Sequence, residues 1–190
     1  MEELKYYTGI GSRKAPEPVT DIMSDLAVIL YNLGYILRSG RAEASDYAFQ
    51  RGAEFAMRQP MISSNTKTRQ EIYIPNERFN ACFGNIGAIN PSKFKNYREA
   101  ELLMEDIHPA GRRLKGFARE AHIRNMYQVL GQDLNTPSDL VILWAKPKGQ
   151  FEVDGGTNSA FQLARLYKIP TFNLYKQEDK EALWKLLKIT

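Results

Sequence analysis

The chain holds a single cysteine, Cys82, and two histidines, His108 and His122, among its 190 residues. One cysteine forms no internal disulfide and no cysteine-rich metal site, which suits a reducing, cytoplasmic setting. Two histidines with no cysteine nearby, at a separation that matches no zinc pattern, make a poor metal site. Both are read as structural or supporting residues, and no metal or cofactor is expected. No apolar run approaches the roughly 18 residues that would suggest a membrane span. The opening, MEELKYYTGIGSRK, is acidic and then strand-like, unlike a secretory leader. Internal repeats, low-complexity tracts and linkers are also missing. Basic residues are scattered, apart from GRRLKGFAR at 111–119, which reads as a solvated helix face. The net charge of +4 suits an anionic ligand but falls short of the dense basic footprint of a dedicated DNA binder.

What is present is ordinary for a globular chain: 43% hydrophobic and 25% charged residues. The length fits one domain with a sizeable core. LKYYTGI (4–10) is an apolar and aromatic run that stops at glycine, as a strand would. Pro18 suits the first turn of a helix, with Glu17 at its positive end. Val19, Ile22, Met23, Leu26, Ile29, Leu30 and Leu33 then recur at helical spacing until Gly34. A strand at 35–39 follows, then a helix at 45–58 with Ser45 as N-cap, and a strand at 71–75 ended by Pro75. Residues 76–96, rich in Asn, Gly and aromatics, read as a long irregular insertion, functional or mobile. Helical patterns return at 97–107 and 114–130. DLVILWA (139–145) is a near-continuous apolar run, as for a strand covered on both faces. A helix after GGT, a strand at 171–174 and a helix at 178–188 close the chain. Alternation of this kind predicts an α/β fold, an open and mainly parallel Rossmann-like sheet with helices on both faces.

In such sheets ligands bind beyond the carboxyl ends of the strands. GIGSR (9–13), SGRAEASD (39–46) and GGTNS (155–159) are expected there, with the stretch from 76 onward as a cover. Gly9, Gly11, Gly40, Gly155 and Gly156 would expose backbone N–H groups beside helix N-termini, a combination suited to phosphate or carboxylate. Ser12, Ser39 and Thr157 supply hydroxyls, and Arg13 supplies a charged fork. Each glycine taken singly serves a tight turn equally well; it is their number that points to a ligand.

The segments YTGIGSR, LRSGRAEASDYAFQRGA, HPAGRRL, HIRNMYQVLG and GGTNSAFQLARLYKIPTFNL resemble, in order and spacing, those of the SLOG superfamily. That superfamily includes the LOG phosphoribohydrolases and the DNA-processing protein DprA. The chain looks most like its small stand-alone, DprA-like members, many from bacteriophages. The resemblance implies a nucleotide or nucleotide-derived ligand over the carboxyl edge of the sheet. By position it implies that Gly11, Ser12 and Arg13 border a phosphate, that Ser39, Gly40 and Asp46 form the second loop, and that Arg124 and Asn125 point into the site. Gly155, Gly156 and Thr157 match a second phosphate cradle.

Two departures stand out. Arg41 and Ala44 occupy positions where such loops usually carry glycine. LOG enzymes have a catalytic Glu shortly after the glycine-threonine motif, whereas this chain reads NSAFQLAR after Thr157. N-glycosidic cleavage needs a group to manage charge at the anomeric carbon, and Glu43, Asp46, Glu120 and Asp154 are the substitutes. Of these, Glu43 and Asp46 are the catalytic candidates. The expectation is a binding protein that sequesters a nucleotide, as in phage counter-defence, within the (host) cytoplasm. A LOG-like 5'-monophosphate phosphoribohydrolase and a DprA-like binder of single-stranded DNA are the alternatives. Base stacking would draw on Tyr47, Phe79, Phe83, Phe94 or Trp144. Relatives commonly pair through helices beside the site. Leu114, Phe117, Ala121, Met126, Val129 and Leu130 make the 114–130 helix apolar on more than one side, which predicts a homo-oligomer with this helix at the interface and Arg124 turned to the ligand.

Overall fold

The computed structural model describes residues 4–59 and 68–189; the acidic start at 1–3 lies outside them. Strand β1 (Lys5–Gly11) leads to helix α1 (Glu17–Asn32), β2 (Tyr35–Ser39) to α2 (Ser45–Met57), and β3 (Gln70–Tyr73) to the short β4 (Ala88–Ile89). Helices α3 (Tyr97–Ile107) and α4 (Gly116–Leu130) precede β5 (Leu140–Trp144), α5 (Thr157–Leu166), β6 (Thr171–Asn173) and α6 (Gln177–Leu187). The strands form one open sheet in the order β4-β3-β2-β1-β5-β6, every neighbouring pair parallel.

Side-chain alternation sends β1, β3 and β5 into two cores. Tyr7, Leu37, Ile72, Leu140 and Ile142 pack under α1, α2 and α6, through residues such as Leu26, Phe49 and Leu183. Ile10, Tyr73, Val141 and Leu143 pack under α3, α4 and α5, through residues such as Met104, Met126 and Leu163. β5, buried on both faces, accordingly reads as an unbroken apolar run.

Three expectations change. The stretch 76–96 is not wholly irregular: Ala88 and Ile89 pair with Ile72 and Tyr73, and 3-10 turns span Ala81–Phe83 and Pro91–Lys93. A two-residue strand is too short to produce a periodic signal. Ser45 does not cap α2; the N-cap is Ala44, while the Ser45 hydroxyl donates to the Ser12 carbonyl at 2.9 Å. Finally, much of the apolar surplus on α4 is met inside the chain, at Met126, Val129 and Leu130, while Phe117 stays half exposed. α4 lies between the sheet, α3 and α5, and Met126, expected at an interface, is fully buried in this core. Its burial on several sides therefore requires no second copy.

Candidate functional site

The chain runs outward from β1 through β2, β3 and β4, then returns to place β5 on the other side of β1. α1 and α5 leave the adjoining carboxyl ends of β1 and β5 on opposite faces of the sheet. Their divergence opens a crevice at the topological switch point, where open parallel sheets bind ligands. A cleft of about 590 Å³ lies there.

All four expected loops reach it. Gly11, Ser12, Arg13 and Lys14 come from the end of β1 and the loop after it, Ala42, Glu43 and Asp46 from the β2–α2 loop and the first turn of α2, and Asp154 to Thr157 from the turn that leads into α5. Phe79 comes from the segment after β3. α4 supplies a wall: Phe117, Ala121, Arg124, Asn125 and Gln128 recur at one helical face, with His122 beside them. The two ends of the crevice are tied together by the Ser12 N–H, which donates to the Trp144 carbonyl at 2.8 Å.

Asp46 and Arg124 form the floor. Asp46 Oδ1 accepts from Gly11 N–H at 3.1 Å and Oδ2 from Ala42 N–H at 3.4 Å. Arg124 Nη1 lies 3.7 Å from Asp46 Oδ2 and donates to the carbonyls of Gly40 and, at 3.1 Å, Tyr73. Burial pushes the Asp46 carboxyl up to about 6, against the opposing pull of Arg124 and the two N–H groups. Burial also lowers Arg124, with Asp46 working against it. Desolvation thus outweighs attraction for both members of the pair. Gln128, with its amide turned to satisfy its neighbours, accepts from Gly40 N–H at 2.8 Å and donates to Asn125 Oδ1 at 2.9 Å. Asn125 in turn donates to the Gly156 carbonyl at 3.1 Å, so one network links the second loop to the head of α5.

The expected residues therefore fall into two groups. Gly11, Ser12, Arg13, Asp46, Arg124, Asn125, Gly155, Gly156 and Thr157 line the cleft. Gly9, Ser39 and Gly40 lie beneath it. A Cβ on Gly9 would sit 2.6 Å from the Phe49 ring, and one on Gly40 only 1.4 Å from Arg124 Nη1. These two glycines make room for protein atoms. The Ser39 hydroxyl donates to the Gly9 carbonyl at 2.6 Å. Gly155, by contrast, has φ 76° with nothing near its missing Cβ, so its backbone faces open space at the start of α5.

The two residues that stand where such loops usually carry glycine keep a positive φ, 58° at Arg41 and 60° at Ala44, a backbone that L-residues rarely adopt. Arg41 offsets this with its side chain. Fully buried, it donates from Nε to the Phe79 carbonyl and from Nη1 to the Gly84 carbonyl and Asn85 Oδ1, each at 2.8 Å. It thereby fastens the 76–96 segment over the cleft and sets where Phe79 stands.

Of the five stacking candidates, only Phe79 lines the cleft. Tyr47 stacks on Phe83, Phe94 packs on Tyr127, and Trp144 leans on Tyr175. The partner of Phe79 is Phe117, ring centroids 5.5 Å apart and half exposed. Phe117, Lys14, Gln128 and His122 were not singled out by sequence as ligand-facing. The signal was there for two of them: Phe117 and Gln128 share the α4 stripe of Arg124. Of the catalytic candidates, Glu43 is exposed at the cleft and Asp46 is engaged in its floor; Asp154 also lines it, and Glu120 does not.

Among the described residues no group of three or more His, Cys, Asp or Glu is placed to hold a metal ion, and no helix is long and apolar enough to cross a membrane. No family model, curated protein or solved structure matches the chain.

Proposed function

We propose that this is a SLOG-type protein that binds a nucleotide or nucleotide-derived molecule in the switch-point cleft and holds it without turnover. The observation that carries the reading is the meeting, in one cleft, of an anion-binding set and an aromatic pair. Arg13, Lys14 and the open backbone at Gly155 and Gly156 supply charge and N–H donors for phosphate. Phe79 and Phe117 supply a face on which a base can stack. The volume is in the range of small-molecule sites.

Two features favour binding over N-glycosidic cleavage. α5 carries no carboxylate along its whole length, TNSAFQLARL. Asp46, the buried acid, is committed to Gly11, Ala42 and Arg124 rather than free to meet an anomeric carbon. Binding without turnover makes sequestration of a nucleotide signal the role that follows. The test is calorimetry with AMP, CMP, GMP, UMP and ribose 5-phosphate, alongside chromatography for released base. Saturable binding of at least one nucleotide with no base release upholds the reading. Multiple-turnover release overturns it in favour of a phosphoribohydrolase. Binding only to oligonucleotides, growing with their length and falling with salt, overturns it in favour of a single-stranded DNA binder.

A further inference from the structure

His122 sits in the cleft wall beside the head of α5, and the nucleotide reading gives it no task. Its Nδ1 lies 2.8 Å from the Ser159 hydroxyl. Ser159 is buried in α5, and among the described residues this ring nitrogen is its one side-chain partner. A buried hydroxyl that donates to nothing forfeits a hydrogen bond, so the Ser159 proton belongs on the line to Nδ1. That makes Nδ1 the acceptor. In a neutral imidazole the proton then resides on Nε2.

The ring is neutral at physiological pH. Burial first, then the neighbouring His108 ring and the Arg124 charge, push its pKa down to about 4. His108 meets it edge-on, centroids 4.3 Å apart, and is itself held low by burial. The Nε2 atom has no protein partner among the described residues. Its ring neighbour Cε1 comes 3.8 Å from where a Cβ on Gly156 would be. Gly156 adds no side chain to that space, and its carbonyl is already taken by Asn125. An unspent N–H donor therefore lies beside the N-terminus of a helix at the cleft wall.

We propose that His122 is a ligand contact: Ser159 fixes its tautomer, and Nε2–H donates to an oxygen of a phosphate monoester at the head of α5. The proposal rests on the cleft being the nucleotide site, and it specifies how the phosphate end is read. A neutral donor contributes hydrogen-bond direction, while Arg13 and Lys14 contribute charge. Ser159 is a positioning residue that acts through the ring.

The test is nitrogen-15 NMR of the full chain labelled at histidine, with AMP and inorganic phosphate as probes. The ligand-free protein is expected to show His122 as the Nε2–H tautomer, and AMP is expected to move its Nε2 resonance. His122→Gln keeps an N–H near the Nε2 position, whereas His122→Asn keeps one near Nδ1 only. The Gln variant should bind AMP within about threefold of the parent, and the Asn variant about tenfold or more weaker. Ser159→Ala should give a mixture of tautomers and a loss between the two. An Nδ1–H tautomer, an Nε2 resonance indifferent to both probes, or equal binding by the Gln and Asn variants would overturn the proposal. If the parent binds no AMP but inorganic phosphate moves Nε2, the histidine contact stands and the nucleotide reading falls. The two ring measurements use the parent protein, so they decide the matter even where a variant does not fold.

Discussion

Asp46 and Arg124 face each other under the cleft, Oδ2 to Nη1 at 3.7 Å, each side chain less than a tenth exposed. Neither is free to leave without stranding the other, and Arg124 also holds the carbonyls of Gly40 and Tyr73. Arg124→Ala is therefore expected to lower folding stability by about 3–5 kcal/mol, the range for a broken buried pair. Urea denaturation measures it. A loss below about 1 kcal/mol, the range of a surface ion pair, would show that the floor is not the rigid element described.

The same floor and His122 give opposite pH dependences. Asp46 is raised from 3.8 to about 6, so the folded state holds its proton more tightly, and its contribution declines as pH rises through that window. His122 is depressed from 6.5 to about 4, so its contribution is present above 6.5 and lost as pH falls towards 4. The two oppose each other in the parent. Relative to it, Asp46→Asn should become less stable with acidification between pH 6 and 4, and His122→Gln more stable. Thermal melts across that range check both signs; parallel curves for the two variants would refute the assigned shifts.

Arg13 is exposed on the first loop and makes no side-chain hydrogen bond or ion pair among the described residues. Arg13→Ala should weaken nucleotide binding by about 1.5–3 kcal/mol, as for a hydrogen bond to a charged group, with the melting temperature unmoved. Unchanged affinity in calorimetry would remove Arg13 from the anion site.

Phe117 tests the proposed base contact apart from the phosphate contact. Half exposed at the cleft, it adds little to the core, so Phe117→Ala should leave stability intact. It should cost a bound nucleotide about 1–3 kcal/mol, the worth of one stacked base, and cost ribose 5-phosphate nothing. Equal losses for both ligands would mean that the ring shapes the cleft without stacking.

Met126 distinguishes a core helix from an interface helix. With no exposure at all, Met126→Glu should unfold the chain, since an unpaired buried charge has no compensation. A folded variant whose only change in light scattering is a smaller assembly would place α4 at an interface after all.

The alternation of strand and helix, the apolar β5 and the three glycine-bearing loops were all legible in the sequence, because hydrophobic period and turn chemistry act over a few residues. So was the edge of the sheet at which those loops gather, since a parallel sheet puts every strand's carboxyl end on one side. Which donors remain free was decided only in three dimensions. Gly40 and Gly9 look like ligand-facing glycines, yet Arg124 and Phe49 fill the space that their missing side chains leave. Arg41 breaks the glycine pattern of its loop and turns out to anchor Phe79 from 38 residues away. Phe117 and His122 face the cleft because α4 is wedged between α3, α5 and the sheet, an orientation set by packing on its other sides. Local sequence determined the elements and their order; long-range contacts alone determined which polar groups are consumed by the protein and which are left for a ligand.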